Sequence, residues 1–293
     1  MKRLDDLVVV VTGASRGIGR AIAVACAAEG ARVAVVARTE AQWDPRMPGT
    51  IHDTVSEITA TGGTAFAVAA DLADPDQVDT VIERARSALG PIGILVNNAA
   101  LTIPGRPPTA PRANEPGAAS AHASPPAPSQ LPRNSFLSFP LRGFRLHLEI
   151  GLFATYRLMQ LALPDMIDAG RGGIVNISSL AGFLPGEGPY AHPGVPGAIA
   201  YGGNKAALHH LTQSVAIEMQ AYGVAINVLS PSEPVLTPGN LVAATGETDW
   251  ANPEDFAEAV VRLTVADPQE TTGQLLWSDD VLHPERGRRG WLR

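Results

Sequence analysis

Tyr201 and Lys205 stand four residues apart in a segment with helical periodicity, and they are the pair in this sequence best suited to proton chemistry. That spacing puts both side chains on one face of a helix, about one turn apart. A phenol with a free pKa of about 10 is a poor base at neutral pH, but an adjacent ammonium favours the phenolate and moves that pKa toward the working range. Other chemistries find little support. The seven histidines form no His-x-x-x-His helix pair, the adjacent His209 and His210 point in different directions, and Cys26 is the only cysteine. No metal site and no internal disulfide are expected. No Gly-x-Ser-x-Gly elbow surrounds Ser178 or Ser179, which argues against a serine hydrolase.

A second chemical signal lies near the start of the chain. The apolar run ending at Val11 leads directly into Thr12-Gly13-Ala14-Ser15-Arg16-Gly17-Ile18-Gly19 and then into a helix-period segment. In such a turn Gly13 permits the tight bend, Gly17 lets backbone approach a pyrophosphate, and Gly19 lets the helix pack close to a sheet, with phosphate at the helix N-terminus. A dinucleotide is therefore expected there, held by Gly13, Ser15, Arg16, Gly17, Ile18 and Gly19. Its kind follows from the end of the second apolar run, Val35-Val36-Ala37-Arg38. An NAD site places a carboxylate here for the ribose 2′-hydroxyl. Ala37 offers none, and Arg38 with Arg16 could flank a 2′-phosphate, so NADP is expected over NAD.

These groups need elements to position them. Short apolar runs rich in Val and Ile recur at 7–11, 32–36, 65–69, 94–96, 173–177, 225–229 and 274–277, each bounded by Gly, Asn, Asp or Pro, as in strands buried on both faces. Helix-period segments separate them at 16–29, 52–61, 75–89, 146–169, 201–222 and 253–265. Alternating strand and helix predicts an α/β fold, a single doubly wound, Rossmann-like parallel sheet with helices on both faces. The whole of 1–293 is read as one domain, interrupted at 104–140 by an insertion holding ten of the 25 prolines. Such a stretch can neither continue a helix nor supply a central strand, and it is expected to be irregular. Acidic residues outnumber basic ones, 29 to 22, and no dense basic run precedes the tail, so nucleic acid is not an expected partner. The first residues read as a strand instead of a signal peptide, no run suits a membrane span, and the lone cysteine fits a reducing, cytoplasmic setting.

The spacing Gly-x-x-x-Gly-x-Gly, with Thr before its first glycine, resembles the short-chain dehydrogenase/reductase family, and the resemblance runs along nearly the whole chain outside the proline-rich stretch. Asp71 and Leu72 look like the family's adenine-contacting pair, and Asn97-Asn98-Ala99-Ala100 looks like its Asn-Asn-Ala-Gly motif, with Asn98 toward the cofactor. Asn176-Ile177-Ser178-Ser179 is similar to the strand end that delivers the active-site serine, here Ser179, which would hold the substrate oxygen as charge develops. Tyr201 and Lys205 match the family's Tyr-x-x-x-Lys, and Pro231 and Thr237 occupy the segment that touches the nicotinamide carboxamide. The segment 44–51 and the ending Thr272-Gly273-Gln274 are similar to the hydroxysteroid-dehydrogenase-like and citronellol-dehydrogenase-like branch.

The resemblance implies an NADP-dependent oxidoreductase transferring a hydride between nicotinamide and an apolar alcohol or carbonyl, with Ser179, Tyr201 and Lys205 catalytic. It also implies a homo-dimer or homo-tetramer built on the helices near Leu146 and Tyr201, which carry Leu158, Leu161, Leu208, Leu211, Val215 and Ile217. One departure stands out. Gly151 sits where the family has an asparagine that holds a water in a proton relay, so restoring Gly151→Asn is expected to raise turnover if the relay limits it. A non-catalytic NADP-binding sensor is the rival reading.

Overall fold

The computed structural model describes residues 2–101, 135–189, 198–243 and 248–286. Its strands are β1 (Val8–Thr12), β2 (Arg32–Ala37), β3 (Thr64–Ala69), β4 (Ile92–Asn97), β5 (Gly172–Ile177), β6 (Val224–Ser230) and β7 (Leu275–Trp277). They form one parallel sheet in the order β3-β2-β1-β4-β5-β6-β7. Every apolar run read as a strand is one. The reason shows in β1, where Val9 and Val11 pack into the hydrophobic cluster on one face of the sheet while Val8 and Val10 pack into the cluster on the other. A strand with both faces covered can be apolar at every position.

The helices are α1 (Gly17–Ala28), α2 (Ile51–Ala60), α3 (Pro75–Leu89), α4 (Leu141–Leu148), α5 (Ala154–Asp168), α6 (Ala198–Met219), α7 (Pro238–Ala243), α8 (Pro253–Thr264) and α9 (Ser278–Leu282). Ile22, Ile51, Ile58, Phe256 and Val260 from α1, α2 and α8 fill one cluster. Val81, Ile82, Leu158, Met166 and Ala216 from α3, α5 and α6 fill the other. Chain order reverses between β1 and β4, so the carboxyl ends of these two strands open the crevice where ligands bind in such sheets.

The expected helix 146–169 differs from what is observed. It begins at Leu141, immediately after the proline-rich stretch, and a π-helical turn at Glu149–Phe153 divides it into α4 and α5. Of that stretch, 135–140 forms a turn in which the Ser138 and Phe139 amides donate to Ser135 O, and the remainder lies outside the described residues. Helix α6 also starts earlier than read, at Ala198, which places Tyr201 in its first turn.

Candidate active site

The glycine turn closes over the carboxyl end of β1. Gly13 has φ +67, and a Cβ on Gly19 would lie 2.3 Å from Gly13 O, so only glycine allows this approach of α1 to the turn. Asn98 holds the turn from the β4 side: its Nδ2 donates to Thr12 O at 2.9 Å, and the Asn98 and Ala99 amides both donate to Thr12 Oγ1 at 3.0 Å. Helix α1 has no side-chain cap at Arg16 and no acidic residue in its first turn. Its first amides are therefore available to an anion, and a glycine-lined turn before an uncapped helix suits a dinucleotide pyrophosphate. Thr237 stands directly over this turn, 3.2 Å from where a Gly17 Cβ would be, and Pro231 opens the same loop after β6.

Two guanidiniums stand at the corner of the crevice beside the end of β2. Arg16 Nη2 donates to Gly49 O at 2.8 Å, while its buried Nε has no partner among the described residues. Burial lowers the Arg16 pKa, repulsion from nearby Arg38 lowers it further, and Asp44 works in the opposite direction. Arg38 is exposed and 3.5 Å from Asp71, an ion pair too open to hold it firmly. Leu72 is buried in the cluster under α3. The segment 44–51 packs on this corner, with Asp44 bound to Arg46 at 2.8 Å and Gly49 against Ser15 O.

At the other end of the crevice, four consecutive residues leaving β5 each grip α6. Asn176 Nδ2 donates to Thr212 Oγ1 at 2.8 Å, Ile177 O accepts from Lys205 Nζ at 2.6 Å, Ser178 Oγ pairs with His209 Nε2 at 2.6 Å, and Ser179 hydrogen-bonds Tyr201. Asn97 Nδ2 donates to Asn176 Oδ1 at 2.8 Å and ties β4 into the same chain of contacts. Gly202 lets α6 sit on the turn after Ser179, since a Cβ there would lie 2.6 Å from Ala181 O. The expected trio of Ser179, Tyr201 and Lys205 is thus brought together, with Lys205 Nζ 5.7 Å from the Tyr201 ring centroid.

Residues 7–115 and 131–241 match the short chain dehydrogenase family. The chain belongs to it. The L-rhamnose 1-dehydrogenase (NAD(P)(+)) of Azotobacter vinelandii is 34% identical over 228 residues, covering 78% of this chain and 73% of that one. A 7α-hydroxysteroid dehydrogenase complexed with NADH and 7-oxo glycochenodeoxycholic acid superimposes with a TM-score of 0.71 at 27% identity, over 94% of this chain and 93% of that one. A 3-oxoacyl (acyl-carrier-protein) reductase from Agrobacterium tumefaciens C58 with NADP bound gives 0.70 at 26% identity, with the same coverage. This short-chain dehydrogenase is accordingly an NAD(P)-dependent oxidoreductase acting on the hydroxyl/carbonyl couple.

The electrostatics of the dehydrogenase site differ from expectation in one respect. Burial raises the Tyr201 pKa, and only the Ser179 hydrogen bond lowers it, so without cofactor the phenol holds its proton more firmly than free tyrosine. Lys205 is 2% exposed, and burial pushes it down to about 8. His209 is pushed down to about 4 by burial and by the Lys205 charge, so its bond to Ser178 is between neutral groups. Sequence reasoning set His209 aside and missed Asn176, Ser178 and Thr212 as anchors. A polar stripe at 201, 205, 209 and 212 along one face of α6 is the signal that could have found them.

Proposed function

We propose that the enzyme uses NADP(H) and reduces or forms a carbonyl on a largely apolar molecule. The observation that carries the reading is the joining of Ser179, Tyr201 and Lys205 by the β5 end and α6, on the same crevice as the glycine turn. When bound, the nicotinamide supplies or takes the hydride. Ser179 Oγ would hold the substrate oxygen, and Tyr201, a phenol that keeps its proton, would give that proton to the oxygen as negative charge develops on it. In the oxidising direction Tyr201 would take the proton back, with the Lys205 ammonium favouring the phenolate. Gly13, Ser15, Gly17, Ile18 and Gly19 would cradle the pyrophosphate, with Asn98 bracing them, Asp71 and Leu72 beside the adenine, and Pro231 and Thr237 toward the nicotinamide. Arg16 and nearby Arg38, with Ala37 contributing no carboxylate, support NADP over NAD.

Exposed Leu180, Leu184, Ile199, Leu236 and Leu241 lie on the segments beside Ser179, Tyr201 and Thr237, and they favour an apolar substrate. A panel of terpenoid, steroid, aliphatic and sugar carbonyls and alcohols, followed at the nicotinamide absorbance with each cofactor, tests the reading. Turnover confined to sugars, or a higher kcat/KM with NAD than with NADP, would overturn its finer terms. A homo-oligomer is part of the proposal. Of the side chains expected at an interface, Leu158 and Leu208 are core, but Ile217 of α6 is 80% exposed and Phe153 and Tyr156 near the start of α5 are about half exposed. Light scattering that finds only monomer at micromolar concentration would refute it.

A further inference from the structure

Gly151 lies at the centre of the π-helical turn, buried against α6. A Cβ built there would fall 2.0 Å from Asn204 Nδ2, 2.9 Å from its Cγ and 3.0 Å from its Oδ1. The carboxamide of Asn204 therefore occupies the hollow that a side chain at 151 would need. Asn204 is 1% exposed, and its Oδ1 is buried with no hydrogen-bond donor from the protein among the described residues. A buried carbonyl oxygen left without a donor is costly, and buried waters typically satisfy such groups.

The position of that oxygen is specific. Asn204 follows Tyr201 by three residues, so the two are neighbours on the surface of α6, and it directly precedes Lys205 in the chain. Across the helix interface, His147 lies one turn before Gly151, with its ring edge-on to Tyr201 at 6.3 Å between centroids. Its Nδ1 is also buried without a partner among the described residues, and burial lowers its pKa, which favours the neutral ring. Each of the two helices thus carries, close to Tyr201, one buried polar atom without a protein partner among the described residues, while Lys205 Nζ has protons beyond the one it gives to Ile177 O.

We propose that Asn204 is a positioning residue for the Tyr201–Lys205 pair: its carboxamide, seated over Gly151, holds with Oδ1 a buried water through which the pair exchanges its proton with solvent. Glycine at 151 and asparagine at 204 are then one device, an amide delivered from α6 into a space that α4 and α5 leave open. In the reducing direction Tyr201 loses a proton to the substrate oxygen. The water then gives one proton toward the phenolate and takes one from solvent, so each O–H bond broken is replaced and no redox change occurs. The inference rests on the oxidoreductase reading for its kinetics, but not for its geometry or for the titration of Tyr201. On this proposal Gly151→Asn alone is expected to cost stability instead of raising turnover, because the new Cβ meets an amide already in place.

Three variants test it. Asn204→Leu keeps the bulk and removes the acceptor; its kcat should fall roughly tenfold or more with NADP affinity unchanged. The phenolate absorbance assigned to Tyr201, by difference from Tyr201→Phe, should then titrate at higher pH than in wild type, because a water that stabilised the anion is gone. Gly151→Asn should lower the unfolding midpoint by roughly 5 °C or more, whereas Gly151→Asn with Asn204→Ala should regain both the midpoint and most of the kcat, the amide now coming from the other helix. Wild-type kcat and an unchanged titration in Asn204→Leu would overturn the proposal. So would a double variant that regains the midpoint yet keeps the kcat and titration of Asn204→Leu. If wild type turns over nothing on the panel, the oxidoreductase reading fails by itself, and the substrate-free titration still decides the role of Asn204.

Discussion

Replacing Lys205 by methionine should change how stability depends on pH, and the sign is fixed by burial. Lys205 is 2% exposed, no carboxylate forms an ion pair with it among the described residues, and its pKa falls from 10.5 to about 8. Below about pH 8 the folded and unfolded chains both carry the proton, and the native state bears the whole cost of a buried ammonium. Between about 8 and 10.5 the native state releases the proton first, the unfolded state binds more protons, and the free energy of unfolding rises with pH. Above that range the cost is gone. A gap of about two and a half units corresponds to about 3 kcal/mol. Methionine fills a similar volume without titrating. Its packing and the loss of the bond to Ile177 O add an offset that depends little on pH, so the informative quantity is how the wild-type minus variant difference changes with pH. Urea unfolding of both proteins at pH 7, 8, 9 and 10 should show wild type gaining on the variant, most steeply above pH 8. A flat difference would mean the lysine is not desolvated as the fold requires. A difference that falls with pH would mean an anion pairs with it and raises its pKa.

Three further outcomes follow from the same geometry. Tyr201→Phe should lower kcat by roughly 10²- to 10⁴-fold while NADP binding, followed by nicotinamide fluorescence, stays near wild type; activity near wild type would exclude this phenol as the proton donor. Arg38→Asp should lower kcat/KM for NADP and raise it for NAD, since a carboxylate at the end of β2 repels the 2′-phosphate and accepts from a free 2′-hydroxyl; an unchanged ratio would show that Arg38 does not reach the nucleotide. Gly19→Ala should weaken binding of either cofactor and lower the unfolding midpoint, because its Cβ would lie 2.3 Å from Gly13 O; unimpaired cofactor titration would mean the turn is not the pyrophosphate cradle.

Most of the scaffold was legible because its signals are local and repeated. A strand such as β1, apolar at all of Val8, Val9, Val10 and Val11, announces a sheet covered on both faces, and the glycine turn that follows it announces the ligand end of that sheet. What stayed hidden depends on pairs of distant elements. Helices α7 and α9 have only six and five residues, too few for a helical period to show. The π-helical turn has no composition of its own, because it is set by what packs against it. The anchors Asn176, Ser178, His209 and Thr212 each read singly as an ordinary polar residue, and only the register of β5 against α6 turns them into a set.

That register also explains why the site tolerates so polar a lining within the core. Asn97, Asn176 and Thr212 pass hydrogen bonds from β4 through β5 to α6, ending at Leu208 O, so the desolvation of the linked groups is offset by their neighbours. Lys205 and Asn204, neighbours in sequence on α6, are less well served: the ammonium has one acceptor at Ile177 O, and the amide oxygen, like Asn97 Oδ1 and Ser230 Oγ, has no partner among the described residues. Natural sequences break local rules mainly where function requires it. Under-satisfied Asn204 and Lys205, close in sequence to a phenol that burial keeps protonated, fit the proposed chemistry at the first turns of α6, and the linked polar groups of β4 and β5 hold that helix against the sheet.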